Sequence, residues 1–221
     1  MKIDHLKIFT SNLERQLDFY EKILGLPVKK VSDTTIIIHL GYSVLEMEQE
    51  PSATPYHIAF HIPAQQEEKA LSWLEEKLEI LEDDGNRIVD FPAWKAKSVY
   101  FYDADKNILE FISRRDLFPP VSEEFSADSI LGISEIGLAT ENVEEKFRFL
   151  NTNFGIEKFS GDYERFCASG DDEGLFIIIN RNEKDWIPTG VKAFASPFEI
   201  SLTREQASFS AVFKNDTLQP K

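Results

Sequence analysis

The sequence predicts an α+β protein assembled from repeated βαβββ units. Three observations carry that reading. Tyr56-His57-Ile58-Ala59-Phe60-His61-Ile62 alternates strictly between apolar side chains and small or imidazole-bearing ones. That is the period-two pattern of a strand with a helix on one face and a cleft on the other. The order strand, capping residues, helix, glycine stop and further strands recurs along the chain. Finally, histidines and glutamates fall at matching places in those recurring strands.

The first unit opens at residues 3–9, with Leu6 and Ile8 on one face and Ile3, His5, Lys7 and Phe9 on the other. Thr10-Ser11-Asn12 supplies capping side chains. Leu13, Leu17, Tyr20 and Leu24 then share a helical face until Gly25 ends the helix and Pro27 prevents its return. Strands follow at 28–31, 35–40 and 43–49, the last placing Val44, Glu46 and Glu48 on one side. After a connector at 50–55, the second unit starts with the alternating strand and a helix over 67–78, marked by Ala70, Leu71, Leu74 and Leu78. Its strands lie at 87–91, 97–102 and 108–113, with a polar turn at 103–107. A stretch rich in proline, serine and acid then precedes a third copy. At an offset of 130, Thr10, Asn12, Glu14, Phe19 and Gly25 recur as Thr140, Asn142, Glu144, Phe149 and Gly155. This copy ends in a strand at 175–179. Segments 186–188 and 197–202 read as additional strands, and the polar tail from Asn215 as mobile. The expected organisation is a paired βαβββ domain over 1–115, a linker over 116–129, and a third related module with extra strands over 130–221.

Composition narrows the function classes. Hydrophobic residues make up 42% of 221, enough for a buried core, and the net charge is −15. That charge disfavours nucleic acid and anionic membrane surfaces. Cys167 is the single cysteine, so neither a disulfide framework nor a cysteine-based zinc site is available. No apolar run has the length of a membrane span and no signal-peptide core opens the chain, which points to a soluble cytoplasmic protein.

The polar strand faces hold His5, Glu46 or Glu48, His57 and Glu110. In the first two units the opening strand brings a histidine and the closing strand a glutamate. A two-fold arrangement of these units places all four in one cleft, a donor set suited to Fe(II), Mn, Ni, Co or Zn. Glu135 stands where His5 stands in the first unit. The closing strand of the third unit is apolar on both faces, so that unit is assigned to structure, capping or dimer formation.

These residues resemble the glyoxalase/bleomycin-resistance/extradiol-dioxygenase group, the vicinal oxygen chelate proteins. The matching stretches are His5-Leu6-Lys7-Ile8 with Leu17-Asp18-Phe19-Tyr20-Glu21-Lys22-Ile23-Leu24-Gly25-Leu26, then His57-Ile58-Ala59-Phe60, then Tyr100-Phe101-Tyr102-Asp103-Ala104-Asp105-Lys106-Asn107-Ile108-Leu109-Glu110-Phe111. In the last, Ala104 replaces the usual proline and Lys106-Asn107 the usual Gly-Asn, both turn positions. The resemblance implies paired modules curling into a half-open barrel around a divalent metal. It implies His5, His57 and Glu110 as metal ligands, with Glu46 as a fourth ligand and proton shuttle; Glu48 replaces Glu46 if the register slips by two. His61 is read as a catalytic base or substrate contact. Glu48, Trp94, Tyr100, Tyr102 and Arg114 (with Arg115) are candidate pocket residues, and His39 is expected to face solvent. The implied chemistry is metal chelation of vicinal oxygens on a small oxygenated substrate. Glyoxalase-like isomerase or lyase action and extradiol ring cleavage both remain open. The alternative is a non-catalytic drug- or metabolite-binding protein of the same fold. The edge of the third unit offers a surface for a homodimer.

Overall fold

A computed structural model describes residues 1–221. Sixteen strands form one continuous hydrogen-bonded network, with three α-helices laid against it. The first unit runs β1 (Lys2–Thr10), α1 (Leu13–Asp18), β2 (Val28–Ser32), β3 (Thr35–Leu40) and β4 (Ser43–Gln49). The second runs β5 (His57–Ile62), α2 (Glu67–Glu75), β6 (Ile80–Leu81), β7 (Val89–Phe91), β8 (Ala96–Tyr102) and β9 (Ile108–Arg114). The third runs β10 (Gly132–Thr140), α3 (Val143–Phe154), β11 (Lys158–Gly161), β12 (Phe166–Asp171) and β13 (Gly174–Asn180). Three more strands close the chain: β14 (Phe198–Arg204), β15 (Ala207–Lys214) and β16 (Thr217–Pro220).

The repeat at offset 130 is a capping device. Asn12 accepts from the Arg15 N–H at 3.1 Å, and Asn142 from the Glu145 N–H at 3.0 Å. Thr10 and Thr140 each accept from the N–H of the asparagine two residues on, at 3.2 and 3.1 Å. Each threonine hydroxyl in turn donates to an aspartate from a distant turn, Asp105 or Asp216. The side chains thus satisfy helix N–H groups that have no partner within the helix. Gly25 and Gly155 follow with φ of +70° and +65°, a left-handed stop that favours glycine.

The strands divide into two curled sheets. In one, β4 lies parallel to β1 and β14 antiparallel to it, so the first unit shares its sheet with the C-terminal strands. In the other, β9 lies parallel to β5 and β10 antiparallel to it, so the second unit shares its sheet with the third. The expected partnership of the first and second units is therefore replaced by two others. Alternation along a strand specifies which side chains face the cleft, not which neighbour fills the edge. The open edge of β1 is equally satisfied by any strand offering antiparallel N–H and C=O groups.

Apolar faces of both sheets meet the helices in one core. Leu6, Ile8, Ile58, Phe60, Leu109, Phe111, Ile136 and Leu138 are buried there with Leu13, Tyr20, Ala70, Leu74, Val143 and Leu150 of the helical layer. Between β9 and β10 the chain crosses back over the fold. Phe118 meets His61 with ring centroids 5.0 Å apart, and Phe125 meets Trp73 at 5.5 Å. Segment 186–188, read as a strand, is instead part of an irregular strap, held by a single bridge between Trp186 and Val191. The tail read as mobile forms β16 against β15, because alternate residues of 217–220 still complete a ladder.

The two sheets join where β1 and β10 touch, at Ile3 and Ile133. Buried Ser43 spans this seam: its hydroxyl donates to the Ile3 carbonyl at 2.6 Å and accepts from the Ile133 N–H at 2.8 Å. Replacing Ser43 with alanine leaves both backbone groups buried without that partner, at roughly 1–3 kcal/mol for an unsatisfied group. Ser43→Ala is expected to lower the unfolding free energy by about 2 kcal/mol in urea titrations. A loss below about 0.5 kcal/mol would show that the seam closes without the hydroxyl.

Candidate metal centre

The site begins with Ala59. On β5 it lies opposite Glu110 of β9 on one side and opposite Glu135 of β10 on the other. His57 sits two residues earlier on the same face, because a strand repeats every second residue. The small side chain at position 59 leaves the space between these donors open. His57, Glu110 and Glu135 are all buried, and one ligand atom from each lies within 4.8 Å of the others. His57 Nε2 is 3.4 Å from Glu110 Oε2.

Neighbouring groups fix the three side chains. The Ser98 hydroxyl donates to Glu110 at 2.5 Å. Arg114 Nη2 donates to Glu135 Oε1 at 2.8 Å, and the guanidinium lies 5.8 and 5.9 Å from the ring centroids of Trp94 and Phe159. The His57 ring packs 5.1 Å from that of Trp186. Gly137 permits this, since a Cβ there would lie 2.7 Å from the Trp186 ring and 3.1 Å from His57 Cβ.

Burial governs the electrostatics. It pushes the His57 imidazole down to about 4, so the ring is neutral with a lone pair free for an ion. Its Nδ1 is buried and has no hydrogen-bond partner. Burial holds Glu110 well above the usual carboxylate range, with the Glu135 charge adding to the rise. Glu135 is raised by burial as well, and Arg114 opposes the rise at both carboxyls. Two adjacent buried carboxyls, one nearby cation and a neutral imidazole form an electron-rich group short of positive charge. That donor set fits a divalent cation. Burial also raises the Tyr100 phenol far above its ordinary value, with the charges of Glu110 and Glu135 adding to it, so the phenol stays protonated.

A cavity of about 300 Å³ opens from these donors. Aromatic and aliphatic side chains dominate its walls: Phe91, Trp94, Tyr100, Phe166, Trp186 and Ile187. Residues from β7 and β8 and from β11 and β12 line the same space, which shows that the sheet curls round it.

Of the residues singled out by sequence, His57 and Glu110 come together and Trp94 and Tyr100 line the cavity. Others are placed differently. His5 and Glu46 belong to the other sheet, where His5 Nε2 lies 3.0 Å from Glu46 Oε2. That sheet repeats the layout, with Lys7 between Glu46 of β4 and Glu199 of β14 and His5 two residues earlier. Lys7 stands where the second sheet has Ala59. Its ammonium lies 3.5 Å from Glu46 and 2.6 Å from Glu48, so these donors already hold a cation. Buried His61 faces Phe118, its Nε2 pointing at the Glu173 carbonyl at 3.2 Å, and does not line the cavity. Tyr102 lies outside it too, under the Lys106 ammonium at 4.8 Å. Arg114 acts on Glu135 and does not reach the cavity, and Arg115 is exposed; His39 faces solvent, as expected. Glu135 takes the place expected for His5. Its position opposite His5 in the repeat was visible, but its partner strand was not. Phe166 and Lys184 carried no sequence signal, since the strap and β12 reach the cleft only through the fold.

His61 makes acid stability measurable. Burial, with the Arg114 charge, pushes its imidazole down to about 3. The unfolded chain protonates this group near the ordinary value of about 6.5, so the stabilisation is complete above 6.5 and lost as pH falls toward 3. His61→Gln is expected to flatten the decline in unfolding free energy between pH 6 and pH 4 by up to about 1.4 kcal/mol per pH unit. Urea titrations at several pH values check this, and an unchanged slope contradicts it.

Comparison with known proteins fits the geometry. Residues 2–111 match the model of the Glyoxalase/Bleomycin resistance protein/Dioxygenase superfamily. The chain is 34% identical over 116 residues to metallothiol transferase FosB of Staphylococcus haemolyticus, covering 49% of this chain and 80% of that protein. Identity to FosB of Staphylococcus epidermidis is 33% over the same length. A crystal structure of a Bacillus subtilis protein provisionally described as a dioxygenase superposes with a TM-score of 0.58 at 16% identity, over 81% of this chain. The chain spans 63% of the length of that Bacillus protein. No helix is long and apolar enough to cross a membrane. With a FosB relative matched over four-fifths of its length, strands and helices in the order of the family, and buried His and Glu donors facing one cleft, the chain belongs to the glyoxalase/bleomycin resistance protein/dioxygenase superfamily.

Proposed function

We propose that the chain is a divalent-metal-dependent enzyme acting on a small oxygenated substrate, with His57, Glu110 and Glu135 as the protein ligands. The observation that carries this reading is the convergence of three buried donors at the inner end of an apolar cavity. One imidazole with two carboxylates is a hard, oxygen-rich set that favours Mn(II) and Fe(II) over softer ions. His57, Glu110 and Glu135 would hold such an ion, which when bound would supply Lewis acidity to neighbouring substrate oxygens. The chain's own residues do the rest. Arg114 keeps one oxygen of Glu135 engaged and leaves the other for the ion. Ser98 orients Glu110 in the same way. Tyr100, protonated and beside Glu110, is placed to give a hydrogen bond to a substrate oxygen. Trp186 and Phe166 give that end apolar walls.

A proton shuttle by Glu46 is not part of this reading, because Glu46 lies in the other sheet. Ring cleavage and isomerisation share the first step, oxygen chelation. The aromatic walls favour an unsaturated or ring substrate, and hence ring cleavage. The FosB relatives are named metallothiol transferases, which supports the metal part of the proposal. A binder without chemistry is the second reading, since the same apolar walls suit sequestration of a drug or metabolite.

Metal titration with elemental analysis tests the ligand set. One Mn(II) or Fe(II) per chain is expected. Glu135→Gln and His57→Ala should each weaken the ion at least about 100-fold, whereas His5→Ala should leave its affinity within about 2-fold. Loss of the ion in His5→Ala but not in Glu135→Gln would reverse the assignment. Lys7→Ala provides a separate prediction. With the ammonium gone, His5, Glu46 and Glu199 are expected to take a second, weaker ion, moving the stoichiometry from one toward two. A count that stays at one would show that the first sheet lacks the geometry.

A further inference from the structure

A second cavity of about 300 Å³ lies at the end of β9 and shares one lining residue, Trp94, with the first. In a chain of net charge −15 its charged lining is positive in excess, with Lys95, Arg114 and Arg115 against Asp116 and Asp172. The local fold brings the cations together. Ala96 pairs with Arg114 across β8 and β9, and the Arg115 N–H donates to the Lys95 carbonyl at 2.9 Å, so residues 95 and 115 flank that last pair. Lys95 Nζ lies 2.6 Å from Asp116 Oδ2, whereas Arg115 is exposed and forms no ion pair. Arg114 Nη2 is held by Glu135 on the side of the ion centre. Its Nη1 is buried without a hydrogen-bond partner and meets only Asp172 Oδ1, at 3.5 Å. Asp172 belongs to the turn between β12 and β13, and 59% of its side chain is exposed. It covers the guanidinium without hydrogen-bonding it, so an oxyanion can take its place.

We infer that this second cavity is a binding site for a small oxyanion of the carboxylate or phosphate class, which displaces Asp172 from Arg114 Nη1 and pairs with Arg115, and whose binding favours an ion at His57, Glu110 and Glu135. The last clause rests on the reading of the ion centre given above; the oxyanion site does not. Donor chemistry supports the site, since guanidinium N–H groups match carboxylate and phosphate oxygens better than an ammonium does. Trp94 and Phe159 lie within cation–π range of Arg114 and help hold the guanidinium where it is. Charge supports the coupling. A divalent ion and Arg114 together exceed the two carboxylates by one positive charge in buried surroundings, and an oxyanion on Nη1 offsets that excess. The two affinities then rise together, each by the factor it lends the other.

Isothermal titration of acetate and of inorganic phosphate into metal-free protein, with chloride as the control, tests the site. Saturable binding with a Kd below about 1 mM is expected for at least one oxyanion, and the tighter of the two names the ligand class. Arg115→Met should weaken it at least about 5-fold. Asp172→Asn removes the competing carboxylate and should tighten it by about the same factor. Both residues are exposed, so melting temperatures should not move. Lys184→Met, in the first cavity, should leave oxyanion affinity within about 2-fold. The tighter oxyanion should then raise Mn(II) affinity at least about 3-fold, with free Mn(II) counted by electron paramagnetic resonance, and should not do so in Arg115→Met. No saturable binding, an affinity indifferent to both Arg115→Met and Asp172→Asn, or an affinity lost in Lys184→Met would each overturn the site. An Mn(II) affinity that ignores the oxyanion would overturn the coupling. Failure of Mn(II) to bind while the oxyanion still does would instead overturn the ion-centre reading.

Discussion

The ladder between β5 and β10 decides what this protein can do. A strand edge exposes N–H and C=O groups that must be paired, and the edge of β5 is filled by the first strand of the third unit. That choice sets Glu135 across from Ala59 and so beside His57 and Glu110. Had β1 taken the same edge, His5 would stand there. The chemistry of the cleft therefore follows from backbone pairing between units 70 and more residues apart, and only then from the identity of the side chains.

Much of this was legible in the residues. The period of Tyr56 to Ile62 gave both faces of β5, and the Thr-x-Asn caps with their glycine stops gave the repeats. The equivalence of Glu135 with His5 followed from the offset. The partner of each unit was not legible, because hydrophobic alternation is identical for every strand competing for an edge. Strap residues such as Lys184 and Trp186 were hidden for a related reason. They have no period, and the approach of Trp186 to His57 depends on Gly137 lying three strands away in sequence order from the segment that covers it.

Burial and charge work against each other at the centre. Removing Glu110 and Glu135 from water favours their neutral forms, and Arg114 restores part of the balance. The guanidinium is itself enclosed, with Nε and Nη1 lacking hydrogen-bond partners. Its guanidinium carbon lies 5.8 and 5.9 Å from the ring centroids of Trp94 and Phe159, within cation–π range, which helps an always-charged group remain buried. Such a group is costly as a purely structural element, since well-packed apolar residues stabilise a core at least as well. Beside Glu110 and Glu135 its charge serves instead to hold two carboxyls at the open centre.

The two sheets show how little separates an ion site from a filled one. Around Ala59 stand His57, Glu110 and Glu135; around Lys7 stand His5, Glu46 and Glu199, in the same ladder positions. A methyl group leaves a gap among buried oxygen and nitrogen donors, whereas a butylammonium chain fills the gap and supplies a cation. Lys7 answers Glu46 and Glu48 from within the chain, and Glu48 hydrogen-bonded to it raises its own affinity for a proton. The first sheet is thus complete without a ligand, and the second is not. The asymmetry explains why donor residues that look alike in the sequence divide into one self-neutralised cluster and one open centre, and why the cavity with aromatic walls lies beside the open one.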